Sequence, residues 1–560
     1  MDGYSQRLVK TPGVFIETLF ILAFFALSGC SFNPHDDVYS LVSAKSRTLA
    51  SVAISPGNGS EYAFTIDKQP SIEITSPIDG ATAYYSIDGG AYERYAEAFA
   101  LPIKDPKVDQ SFTVTAYVTH PEYNDSVPVS QTYRFVATTV PTPTILVTPE
   151  SSCYHFYYHY DSAPQISASC SLAQATIWYS LDGGVTYAKY TGPFSLPLPA
   201  DQTKINTVTV TMYASLTGYI DSATATMSYR FAPNGTIVTI AGKGGIADFQ
   251  DGDVGAALFN QPYGLYVDAK KNIYVADFGN SRIRMIAPNG TVSTVAGDGQ
   301  ARFYGNGIAA VEASLNLPMG IAMDEAHNIL YVADTSNFCV RAVSLGDGII
   351  TTYAGVPGTS SGPSPESHSL LSGVFRSVLG ITFDAEKGLA ITDTGSATVW
   401  GLQASGITRL AGVFGSANTT SAGDPLTCHF QNIHGITWDA NGNLHLIDIF
   451  QHAIYVITSP GESSATIAPE PGTLSDAIYP EAITSVGDDL YFTDSNRISA
   501  VYNGTTFDLV AGSSSSGYSG DGGPATTAKL NAPAGVFVVP GDGVYISDTH
   551  NHCIRKVILY

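Results

Sequence analysis

Six aspartates close six copies of one short phrase: IYVAD (273–277), LYVAD (330–334), LAITD (389–393), LHLID (444–448), LYFTD (490–494) and VYISD (544–548). Carboxylates serve acid–base catalysis and cation binding, so Asp277, Asp334, Asp393, Asp448, Asp494 and Asp548 are the first residues to weigh for chemistry. Their setting points elsewhere. Each ends an apolar run, and in three copies an arginine follows seven residues on, as Arg284, Arg341 and Arg555. A carboxylate at a strand end accepts turn amides and forms a charge-assisted pair with a guanidinium. The aspartates therefore read as structural. The acidic turns Asp251-Gly252-Asp253 and Asp521-Gly522-Gly523 offer oxygens to calcium but lack the full run of ligands, and read as turns. There is no Ser/His/Asp set, no glycine-rich phosphate loop and no paired-carboxylate signature. There is no CxxC and no zinc spacing. No metal ligand set is expected. Calcium and zinc are the only ions these residue types bring into question.

The phrase sits in a repeat that predicts the elements around it. Residues 263–267 (YGLYV) read as a strand, 273–277 as a second, 282–287 (RIRMIA) as a third and 291–297 (TVSTVAG) as a fourth. Short β-branched and aromatic runs between Asn, Gly and Pro turns make an antiparallel meander. Recurrence at this length points to a propeller or a solenoid. The last repeat supplies three strands, 534–539, 543–548 and 553–560, while TIVTIAG (236–242) stands alone before the first repeat. Joining the two closes a ring of six four-stranded blades and removes exposed strand edges. A solenoid has no need of such an arrangement.

These residues resemble the NHL-repeat propellers. The likeness is closest at GYSGDGGPATTAKLNAPAG (517–535) with NHCIRKV (551–557), and at NQPYGLYVD (260–268) with GNSRIR (279–284), and it covers 233–560. Blades three to five depart from the pattern. Trp400 and Tyr455 replace the arginine, and blade five is shortened. The resemblance implies a Pro-x-Gly motif entering each innermost strand. Its x positions, Tyr263, Met319, Leu379, His434, Glu481 and Ala534, then line one ring at the channel mouth, where propellers bind ligands. His434 and Glu481 fall on neighbouring blades, and the glutamate is expected to favour the imidazolium and raise the histidine pKa. NHL-type lyases that amidate peptides resemble this fold and hold zinc with axial histidines. This ring has one histidine, and a zinc site wants about three protein ligands.

At the other end of the chain, Arg7 and Lys10 precede an apolar run, Leu19 to Leu27, that closes as Leu27-Ser28-Gly29-Cys30. This resembles a bacterial lipoprotein signal with its lipobox. The run is too short to span a bilayer stably. The resemblance implies removal of residues 1–29 and lipidation of Cys30, which anchors the chain in the cell envelope without a transmembrane helix. Ser31 follows the cysteine and favours the outer membrane where the cell has one. Residues 30–68 are polar and read as a tether.

A second repeat lies between. ATAYYSIDGG (81–90) returns as ATIWYSLDGG (175–184), FTVTAYV (112–118) as VTVTMYA (208–214), and YRF (133–135) as YRF (229–231). The pattern resembles the small β-sandwich (Ig-like) modules at the C-terminus of chitobiase and β-hexosaminidase chains. It covers 69–136 and 141–232, and YTGPFSL (190–196) has no clear counterpart in the first copy. In those enzymes the module is an accessory, so no glycosidase follows. Tyr84, Tyr85, Trp178 and Tyr179 alternate across a strand. The outward ones could form a sugar-binding platform.

The whole chain is thus expected to be all-β. It has 560 residues, a formal net charge of −23 and 33 tyrosines. Phosphate binding needs concentrated positive charge, so nucleic acid is not an expected partner. Of six cysteines, Cys153 and Cys170 are expected to form a disulfide, and Cys339 and Cys553 to stay buried thiols. Two functions stand open. One is a membrane-tethered scaffold binding a protein or glycan at the propeller face. The other is a metal-dependent enzyme of the lyase or lactonase kind on the axial face. Non-enzymatic binding is the preferred reading.

Overall fold

The computed structural model describes residues 48–57, 61–148, 157–160, 163–362, 364–366, 368–415, 422–470, 479–502 and 506–560. Cys30 and Cys153 lie outside them. Among the described residues regular structure is strand, apart from short 3-10 turns, and no helix is long and apolar enough to cross a membrane. The chain divides into two compact units. One runs up to Val140 and includes Ser215–Ser222. The other comprises Pro141–Ala214 and Ala223–Tyr560.

In the first unit a three-stranded sheet (Ala53–Ser55, Ser71–Thr75, Phe99–Ala100) and a five-stranded sheet share one apolar core. The larger sheet runs Glu61–Phe64, Val129–Phe135, Gln110–Thr119, Thr82–Ile87, Glu93–Arg94. The expected tether, 30–68, is corrected from residue 48 on; residues 30–47 lie outside the described residues. Leu49, Val52, Ile54 and Phe64 are buried in this core, and Glu61–Phe64 pairs in parallel with Val129–Phe135. These strands expose every second residue, so a short polar-looking stretch hides its buried face. A counterpart to YTGPFSL is present too. Phe99 stacks on Tyr85 with centroids 4.3 Å apart, as Phe194 stacks on Tyr179 at 4.5 Å. YAEAFAL (95–101) therefore does the work of 190–196 with only its rings and Leu101 retained.

Among the described residues the second unit holds the matching two-sheet module and then six antiparallel sheets. Their innermost strands are Pro262–Val267, Ile321–Asp324, Val378–Asp384, Ile433–Trp438, Pro480–Val486 and Gly535–Val539. Sheets one and two gain short edge strands, Gly252–Asp253 and Ile308–Ala309, that the repeat did not announce. Ile237–Gly242 pairs antiparallel with Cys553–Ile558, with Ile237 opposite Val557 and Gly242 opposite Cys553. Ile237, Val238, Ile240 and Ala241 are all buried there. This is the β-propeller that the repeat implied. Tyr157 and Ala232 of the preceding module join the propeller residues Ile240, Phe259 and Ile558 in one core cluster.

The phrase aspartates hold the sheets. Asp277 and Arg284 are fully buried and 2.8 Å apart. Asp277 also accepts from the Asn260 amide at 2.8 Å and the Asn280 side chain at 2.9 Å. Asp334 and Asp548 accept the amides of Asn316 and Asn531 and face Arg341 and Arg555 at 3.5 and 3.6 Å. Where the arginine is absent other donors serve: Ser396 Oγ for Asp393 at 2.6 Å and Gln451 Nε2 for Asp448 at 2.8 Å. In blade five, Arg497 stands three residues after Asp494 and donates to it at 2.6 Å. The shortening of that blade lies in this turn; its four strands are of ordinary length.

The acidic turns are likewise engaged. Asp251 accepts from Arg284 and Thr294, and Asp521 from Arg555, Thr239 and Tyr518. Cys339, Cys428 and Cys553 are buried free thiols. The expected Cys153–Cys170 disulfide involves Cys153, which lies outside the described residues; Cys170 Sγ donates to the Pro141 carbonyl at 3.4 Å.

Candidate axial site

The six innermost strands begin at one end of the propeller, and close backbone packing brings their first residues together. An added Cβ on Gly264 would meet the Met319 carbonyl oxygen at 2.5 Å, and one on Gly435 the Glu481 carbonyl oxygen at 2.8 Å. Gly320, Gly380 and Gly535 meet the carbonyls of Leu379, His434 and Tyr263 still more closely. In five of the six blades the glycine after the x residue thus makes room for the neighbouring blade's backbone. Blade five has Ala482 there.

Tyr263, Met319, Leu379, His434, Glu481 and Ala534 line a single cavity of about 90 Å³. That volume suits a few waters or one small polar group. Threonines that the sequence reading passed over position its rim. Thr392 Oγ1 donates to the His434 carbonyl at 2.7 Å and accepts from the Gly380 amide at 2.8 Å. Thr493 Oγ1 accepts from the Ala482 amide at 2.9 Å, and Thr549 Oγ1 donates to the Pro262 carbonyl at 2.7 Å. The signal was present: threonine precedes the phrase aspartate in LAITD and LYFTD, where other copies carry Ala, Ile or Ser.

His434 Nδ1 stands 3.7 Å from Glu481 Oε1, with side chains 16% and 28% exposed. That is beyond hydrogen-bond range. His434 Nδ1 has no hydrogen-bond partner among the described residues. Burial lowers the His434 pKa to about 4, against a small opposing pull from Asp448. Burial raises Glu481 to about 7. The expected rise of the histidine is corrected. Desolvation penalises both charged forms, and an unbonded partner does not repay it. Between these values the pair holds one proton. The result is a neutral imidazole acceptor beside a carboxyl poised near neutrality.

The sign of the pH dependence follows. Glu481 rises from an ordinary 4.5, so the folded state binds the extra proton and stability falls as pH climbs from there to about 7. His434 falls from an ordinary 6.5, so the unfolded state binds the extra proton and stability rises from pH about 4 to 6.5. The two contributions cancel over most of that range. Urea unfolding of His434→Gln should show stability falling as pH rises toward 7, and of Glu481→Gln the opposite slope. A level profile in both variants would mean that neither group is perturbed.

Elsewhere, His445 is bracketed by Asp439 at 3.1 Å and Glu470 at 3.4 Å. Burial opposes its charged form, but the neighbouring Glu470 and Asp439 carboxylates outweigh that and raise its pKa. Among the described residues no group of three or more His, Cys, Asp or Glu is placed to hold a metal ion.

The NHL-repeat family matches at residues 259–284 and 530–557, the stretches carrying the Asp277–Arg284 and Asp548–Arg555 pairs. The chain is 25% identical over 332 residues to the Arabidopsis thaliana protein SUPPRESSOR OF QUENCHING 1, chloroplastic, covering 57% of this chain and 27% of that one. It is 36% identical over 87 residues to NHL repeat-containing protein 2 of Gallus gallus, covering 15% of this chain and 11% of the relative. It therefore spans about a quarter or less of the length of these curated relatives. Among solved structures, an auxiliary nutrient binding protein from Bacteroides thetaiotaomicron VPI-5482 is 14% identical at a TM-score of 0.44, covering 75% of this chain and 97% of that one. The virginiamycin B lyase of Staphylococcus aureus is 17% identical at a TM-score of 0.35, covering 54% of this chain and 96% of that one. At these scores neither bears on substrate or partner.

Proposed function

We propose that this protein is an exported, lipid-anchored scaffold. In this reading Cys30 holds it in the cell envelope, two β-sandwich modules act as spacers, and a six-bladed NHL propeller takes a polar group of a protein or glycan partner at its axial pocket. The convergence of His434 and Glu481 on one small cavity is the observation that supports it. Every phrase aspartate is committed to the fold, whereas the axial pair faces a cavity. The pair favours neutral, hydrogen-bonding groups, because a fixed charge would enter a site that already disfavours charge.

The same pair supports a second reading as an acid–base enzyme. A carboxyl near pKa 7 beside a neutral imidazole is a poised proton donor and acceptor. Glu481→Gln separates the two readings, since it keeps a hydrogen-bonding side chain and removes the transferable proton.

Crosslinking in the native envelope tests the scaffold. The Cys30→Ala chain should leave the detergent phase or accumulate unprocessed. The His434→Ala/Glu481→Ala chain should stay anchored and lose its crosslinked partner, with a melting midpoint within about 2 °C of the parent. Equal partitioning of Cys30→Ala and parent, both retaining residues 1–29, would remove the anchor. An intact crosslink in the double variant would move binding to the outer loops.

A further inference from the structure

The two modules carry the same three rings in the same arrangement on the outward face of a sheet. In the first, Tyr84 stacks on Tyr117 at 5.6 Å with an interplanar angle of 18°, and Tyr92 meets Tyr117 edge-on at 4.9 Å and 80°. In the second, Trp178 lies parallel to Tyr213 at 6.5 Å and 15°, and Tyr187 meets Tyr213 edge-on at 4.9 Å and 81°. A cation stands directly across the strand from the stacked ring in both, Arg94 opposite Tyr84 and Lys189 opposite Trp178. Hydroxyl pairs continue the face: Thr115 with Ser130 at 2.8 Å, and Thr209 with Ser228 at 3.0 Å.

Folding alone does not ask for this. Inward positions of the same strands change size between the modules: Ala83 becomes Ile177, Ala116 becomes Met212, and Val118 becomes Ala214, all buried. Part of the core has repacked, with Val114/Val210, Tyr133/Tyr229 and Phe135/Phe231 kept, while the outward rings stayed aromatic in a similar pairwise arrangement. Solvated positions without a role are the ones freest to vary. Tyr92 is 45% exposed and its fellows are half-buried, so each module presents a partly exposed aromatic step. The step has a polar rim of cation and hydroxyls and no aliphatic side chain among those named. Such a rim suits a ring with one apolar face and hydroxyl edges better than it suits an apolar protein surface. Tyrosine and tryptophan offer that contact at low entropy cost.

We propose that each module carries a saccharide-binding platform, Tyr84, Tyr92 and Tyr117 in the first and Trp178, Tyr187 and Tyr213 in the second, that stacks a pyranose ring of a β-linked glycan. Arg94 and Lys189 donate to its hydroxyls. The proposal does not depend on the axial site.

The chain has three tryptophans; Trp400 is fully buried and Trp438 is half-buried in the propeller, so a Trp178→Phe control assigns the emission change to the platform. Tryptophan emission of the full mature chain is titrated with chitohexaose and with cellohexaose. At least one should give a saturable change. Tyr187→Ala and Tyr213→Ala should each weaken it about tenfold, and Tyr92→Ala should leave the emission titration unchanged while reducing retention on a gel containing the matching polysaccharide. Tyr187→Leu keeps apolar bulk without a π face, and should weaken binding as Tyr187→Ala does. Should Tyr213→Ala prove unfolded, the two Tyr187 variants still decide. No response to either hexaose, or full affinity in Tyr187→Leu, would overturn the proposal.

Discussion

Replacing Ile240 with aspartate, or removing residues 233–242, is expected to abolish the single cooperative unfolding transition of the propeller. The strand Ile237–Gly242 is the outermost strand of the sheet built from Gly535–Val539, Gly543–Asp548 and Cys553–Ile558. Ile237, Val238 and Ile240 are at most 5% exposed. Burying three such side chains is worth roughly 5–9 kcal/mol of transfer free energy, against a net domain stability of about 5–15 kcal/mol. Losing the strand also bares the edge of Cys553–Ile558, which then becomes a template for association. Ile240→Asp keeps the chain length and puts a charge in the same core, so it separates loss of the strand from loss of the linker. Calorimetry of both variants is the measurement. A transition within a few degrees of the parent would mean that the ring does not depend on this closure.

The second large effect concerns the pair inside blade one. Asp277→Ala should cost roughly 3–5 kcal/mol, because it strands a fully buried guanidinium and removes the acceptor of the Asn260 amide. Asp251 still faces Arg284 at 2.6 Å and is 39% exposed, so it moderates the loss without cancelling it. Arg284→Met should be comparable. The double variant should cost less than the sum of the two, by about 1–3 kcal/mol, because neither group is then left alone. Urea unfolding of the four chains closes the cycle. A cost for Asp277→Ala under about 1 kcal/mol would place the aspartate outside the structural core and reopen a chemical role for it. Protection of the Asn260 amide from exchange should fall in the same variant.

How much of this was legible beforehand follows from the range of the forces involved. The strands of the first repeat were readable almost to the residue, since alternating polarity and Asn-Gly turns act over a few positions. The predicted 263–267, 273–277, 282–287 and 291–297 stand against Pro262–Val267, Ile273–Asp277, Arg282–Ile286 and Thr291–Ala296. The spacing of Asp277 and Arg284 suggested their pairing for the same reason, and the register sets them diagonally across a strand pair, Arg282 opposite Asp277 and Arg284 opposite Val275. The partner of strand 236–242 came from counting strands, and the likeness to Pro-x-Gly propellers named the six residues that line one cavity.

What escaped depends on distance through space. Residues near 49–64 look like a polar tether until the sheet that buries their alternate side chains is present. Arg497 could not be matched to Asp494 by a seven-residue rule, because a shorter turn brings it in from three residues away. Tyr92 and Tyr187 gave no sign that they meet Tyr117 and Tyr213 edge-on. The sharpest case is His434. Two residue types on neighbouring blades suggested attraction and a raised pKa, whereas the tertiary structure encloses both and leaves them 3.7 Å apart. The sequence by itself determined which side chains would meet at the axis. Only the packing of the blades decided how dry that meeting place is, and the cost of removing water from a charge, which is not a property of any residue alone, set the protonation of the pair.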